Sequence, residues 1–123
     1  MFDDDASSLS RLCDTGLSLD PQRVALIQGK RSMTYAELEQ RINRVANGLI
    51  SLGVERFERV LVICENDIRF PEVLLGIVRA GAVAVPVNFK FKLPQHIDLA
   101  RDCGSRIIFG SAGMAESVLG CLA

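Results

Sequence analysis

The spacing of apolar positions changes along this chain, and each change marks an element. Between Met33 and Leu49, the residues Leu38, Ile42, Val45, Ala46 and Leu49 recur at helical spacing and form one stripe. Thr34 precedes them with Glu37 three residues on, the pattern of a capping box, and Met33 can meet Leu38 across that cap. Gly53 stands where a left-handed residue closes a helix, with Val54 placed to fold back on Leu49. The other face, Glu39, Arg41, Asn43 and Arg44, reads as solvated. Upstream, "RVALIQGKRSMTY" breaks two short apolar stretches at Gly29-Lys30-Arg31-Ser32, which predicts a β-hairpin.

Downstream the period shortens. Val60 to Cys64 is an unbroken apolar run, as in a parallel strand covered on both faces. Asn66 or Asp67 then caps a helix whose first turn holds Pro71, where a missing N–H has no intrahelical partner to lose. Phe70, Val73, Leu74, Ile77 and Val78 make this helix apolar around most of its circumference, and only Glu72 and Arg79 ask for water. Gly76 inside it costs ~1 kcal/mol relative to alanine, so it implies the close approach of a neighbour. Gly81 stops the helix. From Ala82 to Val87 small and branched residues alternate with both faces apolar, which predicts a strand between two layers. Pro86 sits near its end, where a missing ladder donor costs least.

"LPQHIDLARDCG" predicts a third helix with Pro94 near its first position and Gly104 after its end, "RIIFG" a short strand, and "MAESVLGCLA" a further helix that meets no stop signal before Ala123. Alternating β and α predicts an α/β fold. It is a parallel, doubly wound (Rossmann-like) sheet with right-handed crossovers, flanking helices and an N-terminal hairpin. Residues 1–20 read as a flexible leader or a weakly held first helix, and residues 21–123 as one partial domain.

Charge narrows the function. The formal net charge is −1, from 14 basic and 15 acidic residues, which leaves no electrostatic footprint for nucleic acid. No signal peptide and no membrane-spanning stretch is expected. Cys13, Cys64, Cys103 and Cys121 lack CxxC spacing, and the lone His96 completes no zinc set, so the thiols are expected reduced in a cytoplasmic protein.

Doubly wound sheets bind ligands at the carboxyl ends of their strands. "CENDIR" brings Glu65 and Asp67 together there, as a metal pair or an acid and base, although Asp67 has a plainer use as a helix cap. "GSAG" (110–113) joins a strand to a helix but lacks GxGxxG or GxxxxGK[ST], and reads as a turn. His96 has no evident nucleophile or orienting carboxylate, since Asp98 is too near in sequence to face it, and reads as half-exposed. Phe89, Lys90, Phe91 and Lys92 interleave aromatic and basic residues, as an amphipathic strand tail or a contact for phosphate or membrane. No catalytic, cofactor-binding or metal-binding residue is assigned on these grounds.

The succession of segments carries more. "TYAEL" (Thr34 to Leu38) and "AGAVAVPVN" (Ala80 to Asn88), with "ERVLVICEN" between them, resemble the earliest recurring motifs of the adenylate-forming, or AMP-binding, superfamily. Asn88 resembles acyl-CoA synthetases of fatty or aromatic acids, whereas adenylation domains that load a carrier-protein thiol usually have aspartate. Lys92-Leu93 replaces the usual Ser or Thr cap. The resemblance implies an incomplete N-terminal portion of a larger adenylate-forming domain. It implies an ATP-dependent carboxylic acid–CoA ligase that uses ATP, Mg²⁺ and CoA through motifs downstream of Ala123. It further implies that this segment is inactive by itself, binds no cofactor, and leaves apolar surface exposed where the remainder packs. The alternatives are a non-catalytic α/β remnant or interaction module and, within the family, an adenylation domain loading a carrier-protein thiol.

Overall fold

A computed structural model describes residues 9–111 and residues 113, 115, 117, 118 and 120. The acidic segment 1–8 and the end of the last predicted helix, including Cys121, lie outside the described residues. A 3-10 turn, Leu9–Arg11, leads into α1, Asp14–Leu19. The hairpin β1 (Val24–Gln28) and β2 (Arg31–Thr34) precedes α2 (Tyr35–Ser51). The chain continues through β3 (Arg59–Cys64), α3 (Phe70–Arg79), β4 (Val83–Asn88), α4 (Leu93–Cys103) and β5 (Ile108–Phe109). Described residues from 113 to 120 are again helical.

Local signals set most boundaries. Thr34 Oγ1 accepts the Glu37 N–H at 3.1 Å, and Glu37 Oε1 accepts the Thr34 N–H at 3.3 Å, completing the capping box. Gly53 has φ 80° and Gly81 has φ 86°; each follows a helix whose last carbonyls bond back to the turn. Ahead of α4, Gln95 Oε1 accepts the Lys92 N–H at 2.9 Å, so half of a capping box forms without a Ser or Thr cap. Gly104, with φ 66°, closes that helix. The cap predicted for α3 is different: the N-cap is Arg69, and no side chain caps it. The Asp67 carboxylate instead accepts the Arg69 N–H one residue earlier, at 2.8 Å.

The three parallel strands lie in the order β4-β3-β5. Side chains of β3 alternate between two cores. Val60 and Val62 pack with Ala46 and Leu49 of α2 and Ile77 of α3. Leu61 and Ile63 pack with Val87, Ala100 of α4 and Val118. Both faces are covered, as the unbroken apolar run requires. A third cluster joins Cys13, Met33, Leu38, Ile42, Ile68 and Leu75 beneath the hairpin. An added Cβ on Gly76 would lie 2.5 Å from Val45 Cβ, so Gly76 permits the close crossing of α2 and α3.

Three further expectations are corrected. Strand β4 is not sandwiched along its length: Val83 is 40% exposed and Pro86 is exposed, because β3 is its sole partner among the described strands. This accounts for Pro86. Val83 donates to the Glu58 carbonyl and Phe89 to the Cys64 carbonyl, so odd-numbered residues donate toward β3. The nitrogen of Pro86 therefore faces the open edge, where no ladder bond is lost.

The polar face of α2 is solvated only at Arg44. Glu39, Arg41 and Asn43 are half-buried and meet the two polar residues of α3. Arg79, 6% exposed, donates to Glu39 at 2.7 Å, to Asn43 at 2.9 Å and to the Ser10 carbonyl at 2.8 Å. Glu72, 7% exposed, is engaged by Arg41 through two contacts, one of 3.1 Å. Residues on α3 that ask for water thus obtain charge partners from α2 instead.

His96 is buried rather than half-exposed, at 3%. Its Nε2 lies 2.8 Å from the Asn88 carbonyl oxygen, which can only accept, so Nε2 carries the proton. The bond ties α4 to the end of β4.

Candidate functional site

The chain leaves β3 and β5 toward opposite faces of the sheet. After β3 it enters α3, which packs on the Val60–Val62 face. After β5 it enters the helical residues that carry Val118 onto the Leu61–Ile63 face. Loops that part in this way open a crevice at the carboxyl ends of adjacent parallel strands, the place where doubly wound sheets bind ligands. A cleft of about 330 Å³ lies there. Val62, Ile63 and Glu65 line it from β3 and its loop, and Phe109, Gly110 and Ser111 from β5. Phe70 and Val73 of α3 and Val45 of α2 add an apolar wall.

Packing keeps the floor narrow. A Cβ built on Gly110 would lie 3.2 Å from Ile63 Cβ. The "GSAG" segment therefore contributes Gly110 and Ser111 to the cleft, while Ala112 lies outside the described residues.

Three carboxylates border the cleft in different electrostatic states. Asp67 accepts from Arg69 Nε at 3.0 Å and from the second guanidinium nitrogen at 3.1 Å, with Arg31 4.0 Å away. The Arg69 guanidinium, helped by the Arg69 N–H, holds the Asp67 carboxyl at a pKa of about 2. Such a group is a fixed anion, unsuited to exchanging protons near neutrality. Glu72 is held by Arg41, whose own pKa rises in consequence. Glu65 is half-buried and, among the described residues, takes part in no hydrogen bond or ion pair through its side chain. Glu65 and Asp67 thus share the rim but not a function, and the described residues form no group of three metal donors.

The loop carrying Asp67 is held by a residue that sequence reasoning missed. The Gln28 side chain donates through Nε2 to the Asn66 carbonyl at 2.6 Å and accepts the Ile68 N–H through Oε1 at 2.9 Å. No local pattern betrays this contact, since the partners lie 38 and 40 residues away.

The remaining candidates disperse. Phe89, Phe91, Leu93 and His96 line a second groove of about 400 Å³, which meets the cleft at Ser111. Lys90 and Lys92 are exposed beside it. Cys13, Cys64 and Cys103 are free thiols, and burial pushes the Cys13 and Cys64 thiols up.

The chain matches the model of the AMP-binding enzyme family over residues 15–122. It is 41% identical over 86 residues to a medium/long-chain-fatty-acid–CoA/3-oxocholest-4-en-26-oate–CoA ligase of Mycobacterium tuberculosis, covering 70% of this chain and 16% of that protein. It is 35% identical over 100 residues to a feruloyl-CoA synthase of an Amycolatopsis species, covering 81% of this chain and 20% of that protein. Among solved structures, a benzoate CoA ligase from Burkholderia xenovorans LB400 superposes with a TM-score of 0.84 at 26% identity, over 94% of this chain and 24% of that one. The chain thus spans about a sixth to a quarter of the length of these proteins. The two sequence motifs, the α/β fold and the match over residues 15–122 agree, and the chain belongs to the AMP-binding, adenylate-forming enzyme family, in which it is similar to the N-terminal part of acyl-CoA ligases.

Proposed function

We propose that this chain is the N-terminal segment of an ATP-dependent carboxylic acid–CoA ligase of the cytoplasm. A carboxylate resists nucleophilic attack until a good leaving group is installed. The complete enzyme would join it to AMP, releasing pyrophosphate, and then pass the acyl group to the CoA thiol. The observation that carries the reading is the 41% identity to a fatty-acid–CoA ligase over 86 residues. Residues 1–20 act as a leader whose described part is anchored through Ser10 and Cys13, and residues 21–123 as part of one domain. ATP, Mg²⁺ and CoA are held by residues beyond this segment: Asp67 and Glu72 are already committed to arginines, and neither strand-end loop carries a phosphate-binding lysine motif.

Within that reading, the open edge of β4 and the exposed Ile50, Leu52, Phe57 and Val83 pack against the remainder of the domain. The 123-residue chain alone then binds a hydrophobic dye; absence of dye binding would count against this packing.

Two measurements test the function. Pure 123-residue chain is expected to show no ATP–pyrophosphate exchange with fatty or aromatic acids; exchange above background would place the machinery inside the segment after all. The coding sequence past Ala123 is expected to carry a Ser/Thr/Gly-rich loop with a lysine within roughly 100 residues, as phosphate loops require. A stop codon without that loop would favour a non-catalytic module.

A further inference from the structure

The cleft between β3 and β5 has a chemistry that the ligase reading does not use. Its volume of about 330 Å³ lies within the range of small-molecule pockets. Its walls are largely apolar, with Val45, Phe70, Val73 and Phe109 presenting branched and aromatic surface. Its rim carries Glu65, Asp67 and Glu72, of which two are already neutralised by bonded arginines. Arg69 lies near enough to feel Glu65, yet its guanidinium is spent in a two-pronged contact with Asp67.

We propose that this cleft binds a small organic ammonium ion with an aromatic or branched apolar body, the body lying along the Phe70–Phe109 wall and the charged head received by Glu65. A partly buried carboxylate left without a partner beside an apolar wall favours a ligand that supplies both a charge and a body. A bare divalent cation fits poorly, because the described residues offer no three-donor set. A phosphate fits poorly as well: Glu65 puts a negative charge, unpaired among the described residues, on the rim, and Pro71 removes one of the first N–H groups of α3. An anionic acid meets like charge at Glu65, so the site is distinct from one for a carboxylate substrate.

The rim is also pre-arranged. Gln28 bonds to the backbone on both sides of Asp67, and Asp67 in turn holds Arg69. Ligand binding therefore needs little ordering of the loop, which lowers the entropy lost on association.

The test uses the 123-residue chain labelled with nitrogen-15 and two matched probes, 2-phenylethylammonium and 3-phenylpropionate. The ammonium probe is expected to give saturable amide shifts at Glu65, Gly110 and Ser111, with the carboxylate probe at least about tenfold weaker, as loss of a charge-assisted hydrogen bond implies. Glu65→Gln, which keeps the shape, is expected to weaken the ammonium probe by a similar factor while leaving the spectrum elsewhere unchanged. Equal binding of the two probes, shifts confined to other surfaces, or no saturable shift overturns the proposal. The two-probe comparison stands on the natural chain, so it decides even where the variant folds poorly. Its outcome is independent of the exchange assay, and either reading can fail without the other.

Discussion

Arg79 of α3 donates to Glu39 of α2 at 2.7 Å, and the same guanidinium holds the Ser10 carbonyl at 2.8 Å. One buried cation therefore links α2, α3 and the segment before α1. Removing it strands Glu39, Asn43 and a backbone carbonyl together. Arg79→Met is expected to lower stability by about 3 kcal/mol, the low end for breaking a buried pair, since Glu39 keeps some access to water. Urea unfolding would measure the loss. Amide exchange of residues 10–19 should rise more than that of β3, and uniform protection across both would contradict the anchoring role.

Two glycines on crossing helices offer an opposed pair of substitutions. Gly48 has nothing within 4 Å of an added Cβ, whereas Gly76 would place one 2.5 Å from Val45 Cβ. Gly48→Ala should stabilise by about 0.5–1 kcal/mol through helix propensity. Gly76→Ala gains the same propensity but must push α2 and α3 apart, and a net loss of roughly 1–3 kcal/mol is expected. Thermal midpoints moving in the same direction would refute the close-crossing argument.

The capping box at Thr34 permits a cleaner measurement. Thr34→Ala removes the acceptor for the Glu37 N–H and leaves the rest of the turn in place. A loss of about 1 kcal/mol is expected, while Thr34→Ser should retain most of it. Chemical denaturation of the three proteins side by side would show the ordering.

Acid should loosen the cleft rim before the core. The folded pKa of Asp67 is about 2, below the ordinary value of 3.8, chiefly through its bond with the Arg69 side chain. Because the folded value is depressed, the stabilisation is fully present above pH 4 and is lost as pH falls from about 4 toward 2. Glu58 is shifted the same way by the Glu55 N–H and Arg106. Asp67→Asn should flatten part of this acid-linked loss, and denaturation midpoints at pH 7, 4 and 2.5 would reveal it. An unchanged slope would mean that the Asp67–Arg69 bond does not persist in solution.

Local sequence determined a great deal here, for a physical reason. Capping boxes, left-handed glycines and hydrophobic periods act over a few residues, so Thr34, Gly53, Gly81 and the β3 run announce their elements without help from the rest of the chain. The motifs around Thr34 and Asn88 likewise carried the family, because scaffold residues that cap and turn recur as contiguous strings. The tertiary structure decided which side chains are neutralised, covered or left open. The polar face of α2 read as solvated until α3 brought Glu72 and Arg79 against it. His96 read as half-exposed until its proton found the Asn88 carbonyl. Pro86 read as tolerated near a strand end until β4 proved to be an edge among the described strands. Glu65 and Asp67 read as a pair until Arg69 took one and left the other. Gln28 reaches across the fold to hold the cleft loop, a contact between residues 38 positions apart that no period or spacing encodes.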